Sequence, residues 1–439
     1  MHFAWLHNDA LWVFDETQLM GVGVETSAQL DAFRKVLGTA KPSPSIWMSA
    51  TLGERQIETV DHARPEGGWR TLRLGADDFA VNAVIQRTGA KKQIASATMR
   101  VDKDSSRDVA KRDAKSDYAQ GVASRIAALH QQGTLTLVIV NRVTRAQAIY
   151  AALRAAQPQR RIALLHSRFR PGDRRWHAET LTAHGDRIVV STQVVEAGVD
   201  ISARTLLTEL APWSSLVQRF GRCNRYGEYD EATIEWIDVV AADEKDQAGL
   251  PYDNESLDVA RGLVSGLTDA GPTSLARVAY EPPLVIRPVI RRKDLVELFD
   301  TTPDLAGNDL DVSRYVRDET NDTDVSVFWR DLEEPDESTP EPASDELCSV
   351  TLKAASDFIG KKTVTAWVFD SLDQRWAATS HVRPGQTLLL CSAHGGYDTE
   401  LGFTGEPAKK GSSVPVVGSA KTAPAAMDSD GESIARWLS

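Results

Sequence analysis

The sequence predicts an α/β protein built on parallel strands, and three observations predict it. Short apolar runs end in small or polar residues, as buried parallel strands do. Stretches of helical spacing separate these runs, giving the strand-helix-strand unit of a parallel sheet. Between about residues 115 and 240 the alternation is regular enough for a complete doubly wound domain.

The elements follow in order. Residues 11–14 form a first strand that ends in Asp15 and Glu16. Residues 26–37 have helical spacing (Leu30, Phe33, Leu37), and residues 46–48 form a second strand ending in Ser49, Ala50 and Thr51. Residues 53–115 are mixed and polar and read as the end of one lobe and a link to the next. A helix at 117–130 then precedes a strand at 135–140, a helix at 143–155 and a strand at 162–165. A helix at 174–182, strands at 187–191 and 203–209, a helix from 215 and a strand at 233–240 complete the alternation. Beyond residue 241 the pattern changes, with helical stretches at 257–267 and 292–299 around a proline-punctuated segment at 282–288. Short strands at 364–369, 376–381 and 386–391 predict a small β-rich module. The expected division is therefore 1–114, 115–241, 242–317, an acidic mobile insertion at 318–346 around a short strand, 347–405, and a linker-like tail at 406–439.

The charge is unevenly placed. The 439 residues carry a formal charge of −12, yet residues 318–346 hold twelve acids and one base. Residues 141–225 hold fourteen arginines, no lysine and six acids, a local excess of +8. A basic region inside an acidic chain keeps nucleic acid among the candidate partners. No apolar run approaches the roughly 18 residues of a membrane span, and the N-terminus lacks the cationic start of a signal peptide. The three cysteines, Cys223, Cys348 and Cys391, are far apart, which argues against a disulfide framework or a zinc site and fits a reducing cytoplasm.

Two segments carry chemistry. Residues 191–201 (STQVVEAGVDI) follow a strand end, where ligands sit in open α/β sheets. Residues 218–225 (QRFGRCNR) place Arg219, Arg222 and Arg225 at intervals of three, so they share a neighbourhood if the preceding helix continues. Clustered guanidiniums suit a polyphosphate; a solvated basic helix face fits the same letters taken alone.

With residues 14–18 (FDETQ) and 48–52 (MSATL), these segments stand in the order of motifs II, III, V and VI of superfamily 2 helicases. Residues 137–141 (LVIVN) and 164–169 (LLHSRF) resemble the intermediate elements. The phrases at 12–16, 165–169 and 210–225 narrow the resemblance to the helicase component of type I CRISPR interference, the Cascade-recruited helicase-nuclease. Residues 298–305, 309–317 and 395–398 resemble a subgroup with a long C-terminal extension.

The resemblance implies two RecA-like lobes, the first partial and the second complete, followed by an α+β extension. It implies ATP and Mg2+ as cofactors, single-stranded DNA as substrate and the surveillance complex Cascade as partner, with no membrane. Asp15 and Glu16 would hold the metal through water and activate the attacking water, and Gln18 would couple nucleotide to nucleic acid, although many relatives carry His or Asp there. Ser49 and Thr51 would link hydrolysis to movement. Gly198 and Asp200 would approach the nucleotide, while Gln218, Arg222 and Arg225 would face the γ-phosphate. Arg219 would be a structural or phosphate-bracing neighbour. Asn141, His166, Ser167, Arg168, Thr192 and Gln193 would lie on the nucleic-acid side, with a structural role open for His166.

A helicase of this kind needs a phosphate-binding loop, G-x-x-x-x-G-K-[ST], before the Asp-Glu strand. The 439 residues contain none, and the nearest decoy, Gly360-Lys361-Lys362-Thr363, has the wrong spacing and position. None of the nine histidines is followed by Asp, the pair used by the family's nuclease. The expectation is a segment of a longer helicase-nuclease, cut at both ends by gene disruption, split coding or a partial reading frame, and poor in ATPase alone, with a separate chain as a candidate carrier of the loop. The alternatives are a non-catalytic nucleic-acid-binding remnant or adaptor, and a superfamily 2 helicase of repair or restriction.

Overall fold

The structure is a computed structural model and describes residues 6–49, 53–103, 114–241, 246–283, 291–299, 324–370, 373 and 375–417. The chain forms two compact units, one of residues 1–80 with 278–321 and one of residues 81–277 with 322–439.

In the first unit β1 (Trp12–Phe14) pairs in parallel with β2 (Ser45–Trp47), Val13 lying opposite Ile46. The helix α1 (Gly23–Leu37) connects them and buries Val24, Ala28, Ala32 and Phe33. Its one buried guanidinium is well supplied: Arg34 donates to Asp31 Oδ1 at 3.0 Å, Ser45 Oγ at 2.6 Å and Ser43 O at 3.1 Å. A charge taken from water needs such partners, and here they tie the helix to β2. Thr51 falls outside the described residues.

The second unit is centred on a six-stranded, wholly parallel sheet. Its elements in chain order are α2 (Asn82–Thr88), β3 (Gln93–Val101), α3 (Asp117–Leu129), β4 (Leu135–Ile139), α4 (Val143–Ala156), β5 (Ile162–Leu165), α5 (Pro171–Thr182), β6 (Arg187–Ser191), β7 (Thr205–Glu209), α6 (Trp213–Phe220), β8 (Thr233–Val239) and α7 (Asn254–Ser265). The strand order is β3-β8-β7-β4-β6-β5. Every residue of β4, β6 and β7 is buried, as expected of strands covered on both faces. Helix starts are locally encoded: Ser116 caps α3 by accepting from Ala119 N, and Pro171 opens α5.

β3 is a correction to the expected boundary at residue 115. It lies on the second sheet, pairing with β8 from Gln93↔Thr233 to Val101↔Val239, so the second unit begins near residue 81. As an edge strand it is only partly buried, and its letters lack the apolar run that marks a central strand.

The C-terminal elements are β9 (Asp324–Arg330), β10 (Cys348–Thr351), α8 (Leu352–Ile359), β11 (Ala366–Asp370), β12 (Arg375–Thr379), β13 (Thr387–Cys391), β14 (Gly395–Asp398) and β15 (Gly402–Pro407). Five form a mixed sheet in the order β10-β9-β13-β11-β12, and β14 pairs with β15. Two further corrections follow. The strand within the acidic stretch is interior to this sheet, with Val325, Val327, Phe328 and Trp329 in its core. The stretch expected to be mobile is tied across its ends by Arg330, which donates to Glu346 Oε1 at 2.6 Å and Oε2 at 2.9 Å. The expected tail is integral as far as Val414, which is buried in the same core as Phe358 and Phe403. Gly360 closes α8 at its C-terminal end, so the Gly360–Thr363 decoy does not stand at a helix N-terminus where amides could cradle phosphate. Among the described residues no helix is long and apolar enough to cross a membrane, and the three cysteines are buried free thiols.

Candidate nucleotide and nucleic-acid site

In the first unit the two acids stand just beyond β1. Glu16 has a left-handed backbone (φ 50°), which turns the chain sharply into the 3-10 turn Thr17–Leu19. Its amide donates to Asp15 Oδ1 at 2.8 Å. Gln18 Nε2 donates to Glu16 Oε2 at 2.5 Å, and Ser49 Oγ donates to Gln18 Oε1 at 2.6 Å. Thr17 N donates to Met48 O at 3.1 Å, so the strand ends carrying Asp15 and Ser49 are joined through both backbone and side chains. The structure therefore brings Asp15, Glu16, Gln18 and Ser49 together. Two carboxylates at one strand end fit a hydrated Mg2+, which is commonly held by one or two carboxylates and the phosphates of its substrate. Among the described residues no group of three or more His, Cys, Asp or Glu side chains forms a metal cluster.

In the second unit the segments 191–201 and 218–225 meet at Arg219. This side chain is 0% exposed. Its Nε donates to Glu196 Oε1 at 2.7 Å, Nη1 to Thr208 Oγ1 and Glu209 O at 3.0 Å, and Nη2 to Asn141 Oδ1 at 3.1 Å and Tyr252 OH at 3.2 Å. A guanidinium has five N–H donors in a fixed fork, and this site engages each of them. Burial opposes the charge, but Glu196 and the oxygens around it more than compensate, and the guanidinium is held above its ordinary pKa. Glu209, also fully buried, accepts from Tyr118 OH, Asn141 N and Arg145 Nη2, each at 2.7 Å. Glu196, Glu209, Arg145 and Tyr252 were not expected as site residues. The one signal is a charged letter inside an apolar run, which demands a buried partner.

The helix does not continue through residue 225, so the condition under which the three arginines would share a helical neighbourhood is not met. α6 ends at Phe220 with Gly221 as cap, and Asn224 (φ 44°) turns the chain away. Arg222 was expected to face a γ-phosphate; here it is buried, and its Nε donates to Val195 O at 3.0 Å and its Nη2 to Glu196 O. It braces the 191–201 segment. Arg225 is different. Its Nε donates to Asp200 Oδ1 at 2.7 Å, with side chains 40% and 70% exposed. Gly198 is exposed in a left-handed conformation (φ 70°), and Gln218 is half-buried. Of the three guanidiniums Arg225 is thus the one accessible to an anion, with the exposed Gly198 turn near it.

The residues expected on the nucleic-acid side divide in the same way. Asn141 and Thr192 are buried, and Asn141 serves the Arg219 network. His166 is 0% exposed: its Nε2 lies 3.0 Å from Leu401 O and its Nδ1 accepts from Arg168 N at 3.1 Å. Burial holds the imidazole down to about 3, neutral and structural. These three assignments are corrected by burial. Ser167 is exposed, and Arg168 and Gln193 are half-buried. The cover over His166 is the C-terminal module. Phe403 N donates to Arg168 O at 2.8 Å, and Tyr397 OH bonds both Arg170 N (3.1 Å) and Asp173 Oδ2 (2.7 Å).

Residues 132–228 match the family described as CRISPR-associated nuclease/helicase Cas3, C-terminal. A CRISPR-associated helicase Cas3 of Thermoproteus tenax is 38% identical over 107 residues, 23% of this chain and 18% of that protein. A CRISPR-associated nuclease/helicase Cas3 of Haloferax volcanii is 46% identical over 72 residues, 16% of this chain and 8% of that protein. A solved structure described as a CRISPR-associated protein superposes with a TM-score of 0.53 at 16% identity, covering 86% of this chain and 49% of its own; at that identity it speaks for the fold alone. The matched segments span less than a fifth of the two curated relatives and about half of the solved chain. Residues 132–228 are thus similar to the C-terminal domain of the CRISPR-associated Cas3 helicases.

Proposed function

We propose that the chain is part of an ATP-driven motor that moves on single-stranded DNA and unwinds target DNA for degradation in type I CRISPR interference, recruited by the Cascade surveillance complex. One observation carries this reading most. Of the arginines at 219, 222 and 225, two are buried in bracing the 191–201 segment, and Arg225 alone is left solvent-facing beside Asp200. That is the arrangement expected when two guanidiniums build a site and a third acts on a ligand.

In this reading Asp15 and Glu16 would hold Mg2+ through water, and the chemistry such an ion would supply is charge neutralisation at the ATP phosphates. Gly198 and Asp200 approach the nucleotide. Arg225 leaves Asp200 and meets the charge that develops on the γ-phosphoryl group, with Gln218 beside it. Gln18 and Ser49 relay the state of the acids to the segment after β2. Ser167, Arg168 and Gln193 contact the DNA backbone.

The 439 residues contain no phosphate-binding loop, so we infer negligible ATP turnover by these residues alone. Phosphate release by the purified chain, with and without single-stranded DNA, checks this; DNA-stimulated release that disappears in Arg225→Ala would overturn it. A polypeptide carrying the loop is expected to restore DNA-stimulated turnover. Arg225→Ala should then lower it by roughly 10³-fold, the scale of an arginine finger. Restored turnover indifferent to that substitution would sink the assignment of Arg225.

A further inference from the structure

Arg225 lies beyond the end of its helix, so something other than the helix must fix its place. The turn from Phe220 to Gly227 contains two left-handed residues, Asn224 (φ 44°) and Gly227 (φ 72°). Its internal bonds are few and long, such as Cys223 N to Phe220 O at 3.2 Å and Gly227 N to Asn224 O at 3.2 Å. The loop at 202–203 holds its middle, Asn224 N donating to Ala203 O and Arg225 N to Ser202 Oγ, each at 2.8 Å, and its two ends meet a segment more than a hundred residues away in sequence, the end of α2 and the start of β3.

That segment grips the turn at both ends. Lys92 is 3% exposed, and its Nζ donates to Phe220 O at 2.7 Å, the carbonyl that ends α6. A cation on a terminal carbonyl satisfies an orphan acceptor and the negative end of the helix dipole together. Asn224 Nδ2 donates to Lys91 O at 3.2 Å. At the far end Gln86 Nε2 donates to Gly227 O at 3.2 Å, and the Arg87 guanidinium lies 5.2 Å from the centre of the Tyr226 ring. A Cβ on Gly227 would stand 2.3 Å from Gln86 O, so the two backbones meet where only glycine fits. The gripping segment is itself anchored from behind. Lys92 N donates to Asp269 Oδ1 at 2.7 Å, and Ala270 N donates to Lys92 O at 2.9 Å. The chain enters the second unit at residue 81, so this grip is made within a dozen residues of entry.

We propose that Lys92 is a positioning residue for the arginine turn, with Gln86 and Lys91 as its auxiliaries. Together with Ser202, which accepts from Arg225 N, the segment 86–92 sets where the turn carrying Arg225 stands, and a change in the chain entering the second unit reaches the nucleotide-facing arginine through it. The proposal rests on the reading of Arg225 as the residue that meets the nucleotide, but its test uses no nucleotide.

The test compares the full chain with Lys92→Met and Lys92→Arg by hydrogen exchange and by phenylglyoxal modification of Arg225. Lys92→Met is expected to speed exchange at residues 221–227 by about tenfold while strand amides at 135–139 stay protected. Arg225 modification should rise several-fold, and Lys92→Arg, which keeps a cation at the carbonyl, should restore both. Exchange and Arg225 reactivity unchanged in Lys92→Met would overturn the proposal. If that variant folds poorly by circular dichroism, the exposed Gln86→Ala carries the same measurements, with faster exchange at 225–227 expected and no change overturning it. Failure here sinks the grip alone; failure of Arg225→Ala in the reconstituted ATPase sinks the reading beneath it.

Discussion

Ser49 Oγ donates to Gln18 Oε1 at 2.6 Å, and the same amide donates from Nε2 to Glu16 Oε2 at 2.5 Å. One side chain therefore reads both the acid after β1 and the serine after β2. An amide is suited to this because it is donor and acceptor at once. Gln18→Glu keeps the shape but sets a second carboxylate against Glu16. It should lower protection of residues 12–20 in hydrogen exchange more than Gln18→Ala does, because like charges at that separation repel. Equal effects of the two substitutions would show that the bridge is incidental.

The Arg219 and Glu196 pair, both buried, should dominate the stability of the second unit's parallel-sheet domain. Arg219→Met leaves Glu196 buried and unpaired, a loss of about 3–5 kcal/mol in urea unfolding followed by tryptophan fluorescence. Arg219→Lys is expected to be nearly as damaging, since an ammonium cannot serve five acceptors spread over Glu196, Thr208, Glu209, Asn141 and Tyr252. A lysine variant within about 1 kcal/mol of the native chain would contradict the network.

Gly402 is the hinge of the contact between β15 and the His166 segment. It has φ 73°, and a Cβ there would lie 2.3 Å from Arg168 O and 2.7 Å from His166 Cε1. Gly402→Ala therefore adds both backbone strain and a clash, a destabilisation of about 2–4 kcal/mol. Limited proteolysis should cut this variant first near residues 395–407. Native resistance would refute the close packing.

The parallel-sheet domain of the second unit should lose stability in mild acid. Burial holds His166 down to about 3 and His177 down to about 4, against an ordinary value near 6.5. Both are depressed bases, so the unfolded chain takes up their protons first. The stability they confer is complete above about pH 6.5 and falls as pH drops toward 4, by about 1.4 kcal/mol per unit for each group. Urea midpoints measured down that range check the slope, and His166→Asn should flatten it. A midpoint independent of pH would exclude both assignments.

Much of this was legible in the letters. The central strands were readable because strands buried on both faces need unbroken apolar runs, as at 135–139 and 187–191. β3 was missed because an edge strand is half wet and its sequence, QIASATMRV, carries no such run. The strand in the acidic stretch was seen, but its place inside a five-stranded sheet was not, since Val327 meets Leu388 across sixty residues.

The sequence by itself determined the succession of strands and helices from about residue 117 to 239, the order of the motif-like segments along it, and a basic region within an acidic chain. Tertiary structure alone decided which of these residues remain available. Arg219, Arg222 and Arg225 are the same letter at equal spacing, yet two are buried against partners more than twenty residues away and one faces solvent. A guanidinium's role depends on the oxygens within 3 Å of it and on the water it has lost. Both are properties of folding, and neither is written in the order of residues.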